Sequence, residues 1–472
     1  MKGETMRSNV KQFIVGGALT LLLAALVPGV AYSQDSTQND PNKSQSSTQP
    51  KTPAPAVNQS SATSVNPSDA SYSVSLADGQ AIPLGADAQA AQVGVQGQAP
   101  AGQAARTQLL YGGDVSAVYI ENYTPSSIAN ATTGVISPYV GLYVPTRTGG
   151  MTLQYRGTFA PDSAFTGDFE AYHALTFNAA GAFTHRLYWG LASQAEYGSQ
   201  AARFEGPLTY LLVGLTPVVN PVASGALLQG RNTAFASNLA KLGWRMTAKD
   251  RFELTGYHTF TDLSSNPTLG LAGDRSNAVG SKLDYAHDVS ARLRFHLYGD
   301  AEHVLESNCN TYGGGAGVTA RLSYSWYLDV SGGPQWTSAN CGSQQRANFY
   351  GALVKTLRGQ AKFYVVGWRT FNTAFQTAST WQDSVAVGIL YPIRRFTLQG
   401  DAGYFKGDSL FVNTQPIQGY FVAPLVRYSL TEHTAISGGY RIFHATGGNT
   451  VPGNLQYAVV SLEWRPAPVR VR

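Results

Sequence analysis

The chain has 472 residues and a formal net charge of +5 at pH 7, too small over this length for a nucleic-acid-binding protein. Charged residues make up 13% of the chain, against roughly 25% in soluble globular proteins, whereas Gly (50) and Tyr (26) are abundant. Two Cys residues exclude a disulfide-rich scaffold. No apolar run beyond the N-terminal region is long enough for a membrane-spanning helix.

Residues 1–33 have the organisation of a secretory signal peptide. Three Lys or Arg residues precede an apolar run over 13–27, and Ala31 and Ser33 are the small residues before an expected cleavage at Gln34. An uncleaved membrane anchor is the alternative, but the run is short for a bilayer. The sequence therefore predicts an exported protein.

Residues 34–105 are rich in Ser, Thr, Gln, Pro and Ala and contain few residues that could form a core. Such a composition cannot offset its own chain entropy, so we predict a disordered periplasmic linker. One modest apolar patch, SVSLADGQAIPL, covers 73–84. The alternative hypothesis is that this patch docks inside the following domain or on a partner.

From residue 106 to residue 465 the chain alternates apolar and polar residues, as a β-strand with two different faces does. In ARLRFHLYGDAEH (291–303), Leu293 and Phe295 fall on one face and Arg294 and His296 on the other. The pattern recurs about 18 times (16 to 18) in segments of roughly nine to twelve residues, the length of a tilted transmembrane strand.

The predicted connections alternate between short and long. Short ones include 146–150 and 178–182, and long ones include 121–134, 198–231, 264–277 and 306–317. Short turns at one end and long loops at the other are typical of an outer-membrane barrel. The predicted fold is therefore an all-β transmembrane antiparallel barrel, followed by a basic tail over 466–472.

A barrel of this size is too wide for side chains to fill, so its inner face is expected to meet water or a plug. The alternation predicts a set of charged residues on that face: Arg156, Arg186, Arg251, Glu253, Lys282, Asp284, Arg292, Arg294, Asp300, Glu302, Arg321, Asp329 and Asp401. The basic residues from 282 to 321 form either a basic stripe that biases solute passage or ion pairs with nearby acids. The sequence leaves both interpretations open.

The last predicted strand, LQYAVVSLEW (455–464), resembles the C-terminal signal by which bacterial barrels are recognised for insertion, although no Gly lies mid-strand and RPAPVRVR follows it. Over 109–464 the chain resembles Gram-negative porin-like barrels, and it is loosely similar to barrel proteins associated with exopolysaccharide export. The resemblance implies an outer-membrane location with both termini in the periplasm. The partners it implies are outer-membrane lipid, the barrel-assembly machinery, further copies of the chain and exopolysaccharide-export components.

In general porins the third external loop narrows the lumen, and by resemblance the apolar segment 206–230, with Tyr210, Leu212, Pro217 and Pro221, is expected to do so. Two extra short strands or a cap over the rim are the alternatives. Because Cys309 and Cys341 both fall in predicted external loops, we expect a disulfide between them.

The eight His residues are scattered along the sequence. They suggest neither a cluster of metal ligands nor a nucleophile paired with a general base. We therefore predict no cofactor, no metal site and no enzymatic activity. The predicted function is a channel for passive diffusion of small solutes or for export of a polymer. A non-conducting adhesin or receptor that acts through its external loops is the alternative.

Overall fold

The computed structural model describes the chain from Thr107 onward, with gaps in several connections. The described residues are 107–121, 130–146, 149–163, 167–199, 202, 232–265, 274–357, 361–372, 380–409, 417–446, 453–467 and 469–470. The predicted signal peptide and linker over 1–105 lie outside them. Within the described residues, no helix is long and apolar enough to cross a bilayer.

Eighteen long strands and one two-residue strand form a single sheet. In chain order they are β1 (Gln108–Glu121), β2 (Asn130–Thr146), β3 (Gly149–Ala160), β4 (Glu170–Ala182), β5 (Leu187–Ser199), β6 (Asn232–Arg245), β7 (Asp250–Leu263), β8 (Asp274–Ser290), β9 (Leu293–Val304), β10 (Cys309–Arg321), β11 (Trp326–Thr337), β12 (Gln345–Thr356), β13 (Lys362–Asn372), β14 (Thr380–Ile393), β15 (Phe396–Ser409), β16 (Ile417–Ser429), β17 (Thr434–Thr446), β18 (Gly453–Trp464) and β19 (Val469–Arg470).

The sheet closes on itself. Each long strand pairs antiparallel with its sequence neighbours, and β1 also pairs with β18, from Gly113 opposite Trp464 to Glu121 opposite Gln456. The short β19 pairs with the start of β1, at Gln108 and Leu109. The prediction of a closed antiparallel barrel of about 18 strands is confirmed. From the usual strand spacing and tilt, such a barrel is roughly 110 Å in circumference and about 35 Å across between backbones.

The two ends of the barrel differ, and we call them the short-turn rim and the loop rim. At the short-turn rim, the β2–β3, β8–β9 and β14–β15 connections have only two residues each, 147–148, 291–292 and 394–395. At the loop rim, the β5–β6 connection spans 200–231. The β9–β10 connection, 305–308, is the short exception at this rim.

Several predicted boundaries were wrong. The segment 183–186 is a turn and not the start of a strand, because the Thr184 hydroxyl accepts hydrogen bonds from the backbone N–H groups of Arg186 and Leu187. Such a side chain–backbone turn competes with strand pairing. The β4 strand consequently continues through 178–182, which the sequence had suggested as the turn.

The predicted long loop 306–317 is also wrong, since most of it belongs to β10. Two glycines of this run lie opposite bulky residues of β9, with Gly313 facing Asp300 and Gly315 facing Tyr298, whereas Gly314 lies opposite Gly299. A Cβ at either glycine would crowd the facing side chain. The glycine run therefore makes room on the inner face of a strand and does not mark a loop.

The outer face of the barrel is apolar over most of its surface. On β9, Phe295 and Leu297 are 47% and 58% exposed, whereas His296 between them is 3% exposed. The same alternation places Ile136, Val140 and many other large apolar residues on the outside. An exposed apolar area of this extent is typical of a surface that another apolar phase covers.

Candidate functional site

The candidate functional site is the inner wall of the barrel. Of the residues that the sequence placed there, ten face inward from within strands: Arg156, Arg251, Glu253, Lys282, Asp284, Arg294, Asp300, Glu302, Asp329 and Asp401. Arg321 is the last residue of β10. Arg186 and Arg292 lie exposed in short turns, so their assignment to strands was wrong.

The inner face of β6 to β9 carries a dense set of acids and bases, which we call the charged wall: Lys241, Glu253, Lys282, Asp284, Asp288, Arg294, His296 and Asp300. Lys241 Nζ lies 2.6 Å from Glu253 Oε2. Arg294 Nε lies 2.6 Å from Asp288 Oδ1. Opposite charges on neighbouring strands thus offset the cost of removing each one from water.

The basic stripe is not present as a continuous line of unpaired cations in the described residues. Lys282 lies directly opposite Asp300 in the β8–β9 pair, and its ammonium is 4.8 Å from the centre of the Tyr298 ring. Arg292 lies in the turn, with its guanidinium 5.5 Å from the Tyr324 ring centre. This arrangement fits the interpretation in which the bases pair with acids.

A small cavity of about 10 Å³ lies within the charged wall, lined in part by Arg251, Asp284 and His296. This is about the space that one water molecule needs. His296 Nδ1 lies 3.4 Å from Asp284 Oδ2. Among the described residues neither atom, nor Arg251 Nε, has a hydrogen-bond partner. The cavity is therefore a polar site on the charged wall, where a small hydrogen-bonding molecule would be stabilised.

Tyrosines hold several carboxylates flat against the wall. The Tyr188 ring on β5 lies over Gly243 of β6, and its hydroxyl donates to Glu253 on β7. Tyr257 on β7 likewise lies over Gly280 of β8 and donates to Glu302 on β9 at 3.0 Å. Each unit couples three consecutive strands, and only a residue without a Cβ fits beneath the ring.

The same unit occurs on the far side of the barrel. The Tyr364 ring on β13 lies over Gly388 of β14 and donates to Asp401 on β15. Tyr298 on β9 reaches Asn348 on β12 at 3.0 Å. Because these contacts join strands that are not adjacent, local sequence patterns did not reveal them.

The inner face of β12 to β16 differs from the expectation of an ionic lining. It carries buried apolar residues, which we call the apolar wall: Tyr350, Ala352, Val354, Tyr364, Val366, Ala386, Phe405, Phe421, Ala423 and Leu425. Tyr350, Val354, Tyr364 and Val366 pack with one another in one cluster. The sequence signal was present in QAKFYVVGWRTF (360–371), which is apolar on both faces.

A disulfide lies at the loop rim. Cys309 at the start of β10 is bonded to Cys341 in the β11–β12 connection, and their Cα atoms are 5.4 Å apart. Both residues are buried and pack with Ala278, Val304 and Trp381. This cluster joins β8 to β14, which are six strands apart, so the 338–344 connection extends inward from the wall.

Hydrogen bonds fix that connection as well. The backbone N–H of Ser338 donates to the carbonyl of Asn310 at 2.8 Å, and the Asn340 amide donates to the carbonyl of Asn308 at 2.9 Å.

The four predicted constriction residues, Tyr210, Leu212, Pro217 and Pro221, lie outside the described residues.

Lys241 and Asp288 of the charged wall were not among the predicted lining residues, although Lys241 lies in β6 and Asp288 in β8. Asp114 on β1 bonds Arg156 on β3 at 2.8 Å. No group of three or more His, Cys, Asp or Glu residues that could hold a metal occurs in the part of the chain that the structure describes.

Comparison with known proteins gives no family. No family model matches the chain, and no curated protein matches its sequence. Among solved structures, the chain is similar to OpdQ of Pseudomonas aeruginosa at 9% identity and a TM-score of 0.43, covering 77% of this chain and 98% of that one. It is similar to OccK7 (OpdD) of the same species at 10% identity and a TM-score of 0.42, covering 77% and 100%.

A third similar structure is the FrpB iron transporter of Neisseria meningitidis, at 8% identity and a TM-score of 0.39. The match covers 72% of this chain, which spans only 62% of that protein's length. At these identities and scores the likeness carries no functional argument.

Proposed function

We propose that the protein is an outer-membrane channel whose water-filled path runs along the charged wall. One observation carries the proposal: a closed barrel of 18 strands has exposed apolar residues outside and ionised residues inside. In hydrocarbon, only a helix or a closed barrel satisfies every backbone hydrogen-bonding group. A barrel of 16 to 18 strands is wide enough to leave an aqueous channel.

The balance of charge on the wall supports passage of small polar solutes without strong ion selection. Acids and bases interleave on β6 to β9, as the Lys241–Glu253 and Arg294–Asp288 pairs show. Rings or patches of one sign produce strong selectivity in pores, and the paired charges here do not form one. Whether the cargo is a small solute or an exported polymer depends on the open width at the loop rim.

A second candidate is a non-conducting receptor or adhesin barrel, which the apolar wall favours. Val366, Ala423 and their neighbours are apolar and almost fully buried on the inner face, so other side chains cover this part of the wall. In this alternative the lumen is closed and the loops act on the outside.

Planar-bilayer recording of the purified mature protein separates the two candidates. We expect discrete, ohmic conductance steps that appear only when the protein is present, with little discrimination between cations and anions. A correctly folded barrel, shown by heat-modifiable gel migration, that inserts and yet conducts no ions would contradict the channel and leave the receptor.

A further inference from the structure

Two phenylalanine rings of the apolar wall lie over glycines on the inner face of the barrel. The Phe405 ring on β15 lies over Gly419 of β16, and the Phe421 ring on β16 lies over Gly403 of β15. One face of each ring is therefore turned to the sheet and the other to the lumen. Phe405 is nevertheless only 1% exposed and Phe421 only 5%, whereas Phe349 on the outer face is 46% exposed.

The neighbouring residues of the wall are too small to cover the upper face of the Phe405 ring. The next inward positions on its own strand are Gly403 and Gly407, and the residues paired directly with it are Ser384 and Gly419. The opposite side of the barrel is roughly 35 Å away between backbones. A further layer of chain therefore has to lie over this part of the wall.

The covered surface reaches the short-turn rim. Tyr364 is the third residue of β13 and Ala435 is the second residue of β17, and both strands begin at that rim. Both residues are buried on the inner face, as are Gln108 and Leu110 at the start of β1. The covering layer is thus present at the end of the barrel where β1 begins.

The position of the segments outside the described residues indicates which of them supplies this layer. Every internal segment of more than three residues, such as 203–231, connects strands at the loop rim. Residues 1–106 instead precede β1 at the short-turn rim. A segment that starts there covers the short-turn end without first crossing the whole lumen.

Within this N-terminal region, residues 73–105 have a composition that suits an apolar wall. These 33 residues contain six Val, Leu or Ile residues, two Asp residues and no Lys, Arg or aromatic residue. Most of the others are Ala, Gly and Gln, whose small or uncharged side chains can lie close to rings that are set over glycines. Residues 34–72, by contrast, contain both acids and bases.

The segment is also long enough. An extended chain of 33 residues reaches up to about 110 Å, whereas a strand of 13 residues such as β16, tilted by about 40°, spans roughly 33 Å along the barrel axis. Residues 73–105 can therefore cross the full depth of the lumen while they remain joined to Thr107.

We infer that residues 73–105 enter the lumen from the short-turn rim and lie along the apolar wall, as an internal plug. Burial of apolar surface on both the segment and the wall stabilises this arrangement. The plug occupies the side of the lumen away from the charged wall, so the inference goes beyond the proposed channel and concerns what fills the rest of the barrel.

Thiol labelling of the wall tests the inference. Ala423→Cys places a thiol on the covered surface, and the two native cysteines are bonded to each other and do not react. We expect slow labelling by a hydrophilic thiol reagent in lipid vesicles, and labelling at least tenfold faster when residues 73–105 are deleted. Deletion of residues 40–72, which removes the same number of residues, is the matched control and should leave the slow rate unchanged.

Three results of this experiment would overturn the inference. They are fast labelling in the full mature chain, an unchanged rate after deletion of 73–105, and acceleration only after deletion of 206–230, which would assign the layer to the β5–β6 connection. Heat-modifiable gel migration shows that each variant is folded.

A second measurement keeps the chain at full length, in case the deletion prevents folding. Ala90→Cys lies in the plug segment and Ser47→Cys lies in the preceding region. We expect Ala90→Cys to be labelled at least tenfold more slowly than Ser47→Cys in the folded protein, and equally fast after heat denaturation. Equal rates in the folded protein would overturn the plug. Absence of conductance in bilayers would instead refute the channel and leave both labelling results valid.

Discussion

The charged wall and the apolar wall belong to one continuous sheet, yet they satisfy burial by different means. On β6 to β9 many of the buried groups are ions, and several lie close to an opposite charge or a tyrosine hydroxyl, as at Glu253. On β12 to β16 most of the buried groups are hydrocarbon, as at Val366, although Asp401 on β15 is buried as well and accepts from Tyr364. One barrel can therefore combine a polar path with a packed sector, and the same substitution should have effects of different size in the two sectors.

The largest expected difference follows from placing a carboxylate in each wall. Val366→Asp buries a charge without a cation beside it, and we expect it to lower the free energy of unfolding by about 3 kcal/mol or more. Thr255→Asp is the matched change on the charged wall, because Thr255 is equally buried but lies directly between Lys241 and Lys282. We expect its effect to stay within about 1 kcal/mol, since buried paired charges come close to offsetting their desolvation.

Denaturant unfolding in lipid vesicles, followed by heat-modifiable gel migration, measures both variants against the wild type. Equal losses of unfolding free energy in Val366→Asp and Thr255→Asp would show that the two sectors do not differ in polarity. The distinction between the charged wall and the apolar wall would then be wrong.

A smaller loss of stability is expected when Gly243, the glycine beneath the Tyr188 ring, is substituted. Gly243→Ala places a Cβ against the ring and displaces its hydroxyl from Glu253, and we expect a loss of about 1–3 kcal/mol in unfolding free energy. Gly256→Ala, on the neighbouring strand, has open space and should change stability by less than about 0.5 kcal/mol. The same unfolding assay applies, and equal effects from the two glycines would contradict the tyrosine–glycine packing.

The smallest effect concerns ion selection. A unit charge about 10 Å from a permeating ion in water contributes about 0.4 kcal/mol, which corresponds to roughly a twofold change in local ion concentration. Because the lost charge repels cations and attracts anions, Lys282→Gln should raise the cation-to-anion permeability ratio about fourfold by that estimate, measured as a reversal potential across a salt gradient. Lys249→Gln, in a short turn, is the control and should have a smaller effect. No shift for Lys282→Gln would remove the charged wall from the conduction path.

The sequence predicted the fold because alternation is a local property. Leu293, Phe295 and Leu297 could be separated from Arg294 and His296 without knowing any pairing, and counting such segments gave the strand number. Turn positions could not be read in this way, since the Thr184 turn and the glycines of β10 depend on hydrogen bonds and neighbours that the alternation does not encode.

The arrangement of the inner wall depends on register across strands, which the sequence alone did not fix. It proposed Lys282, Asp284 and Asp300 as inward residues, but it could not determine that Tyr257 crosses β8 to reach Glu302. It did not connect His258 with Ser193 and Asn238, which lie on other strands.

The central claim is that the outer residues meet hydrocarbon and the inner residues outside the apolar wall meet water. Val330→Cys and Ser331→Cys are adjacent positions on β11 that face outward and inward, and a hydrophilic thiol reagent applied to the protein in lipid vesicles tests them directly. The account predicts rapid labelling at Ser331→Cys and negligible labelling at Val330→Cys. Labelling at Val330→Cys that is equal or faster would contradict it.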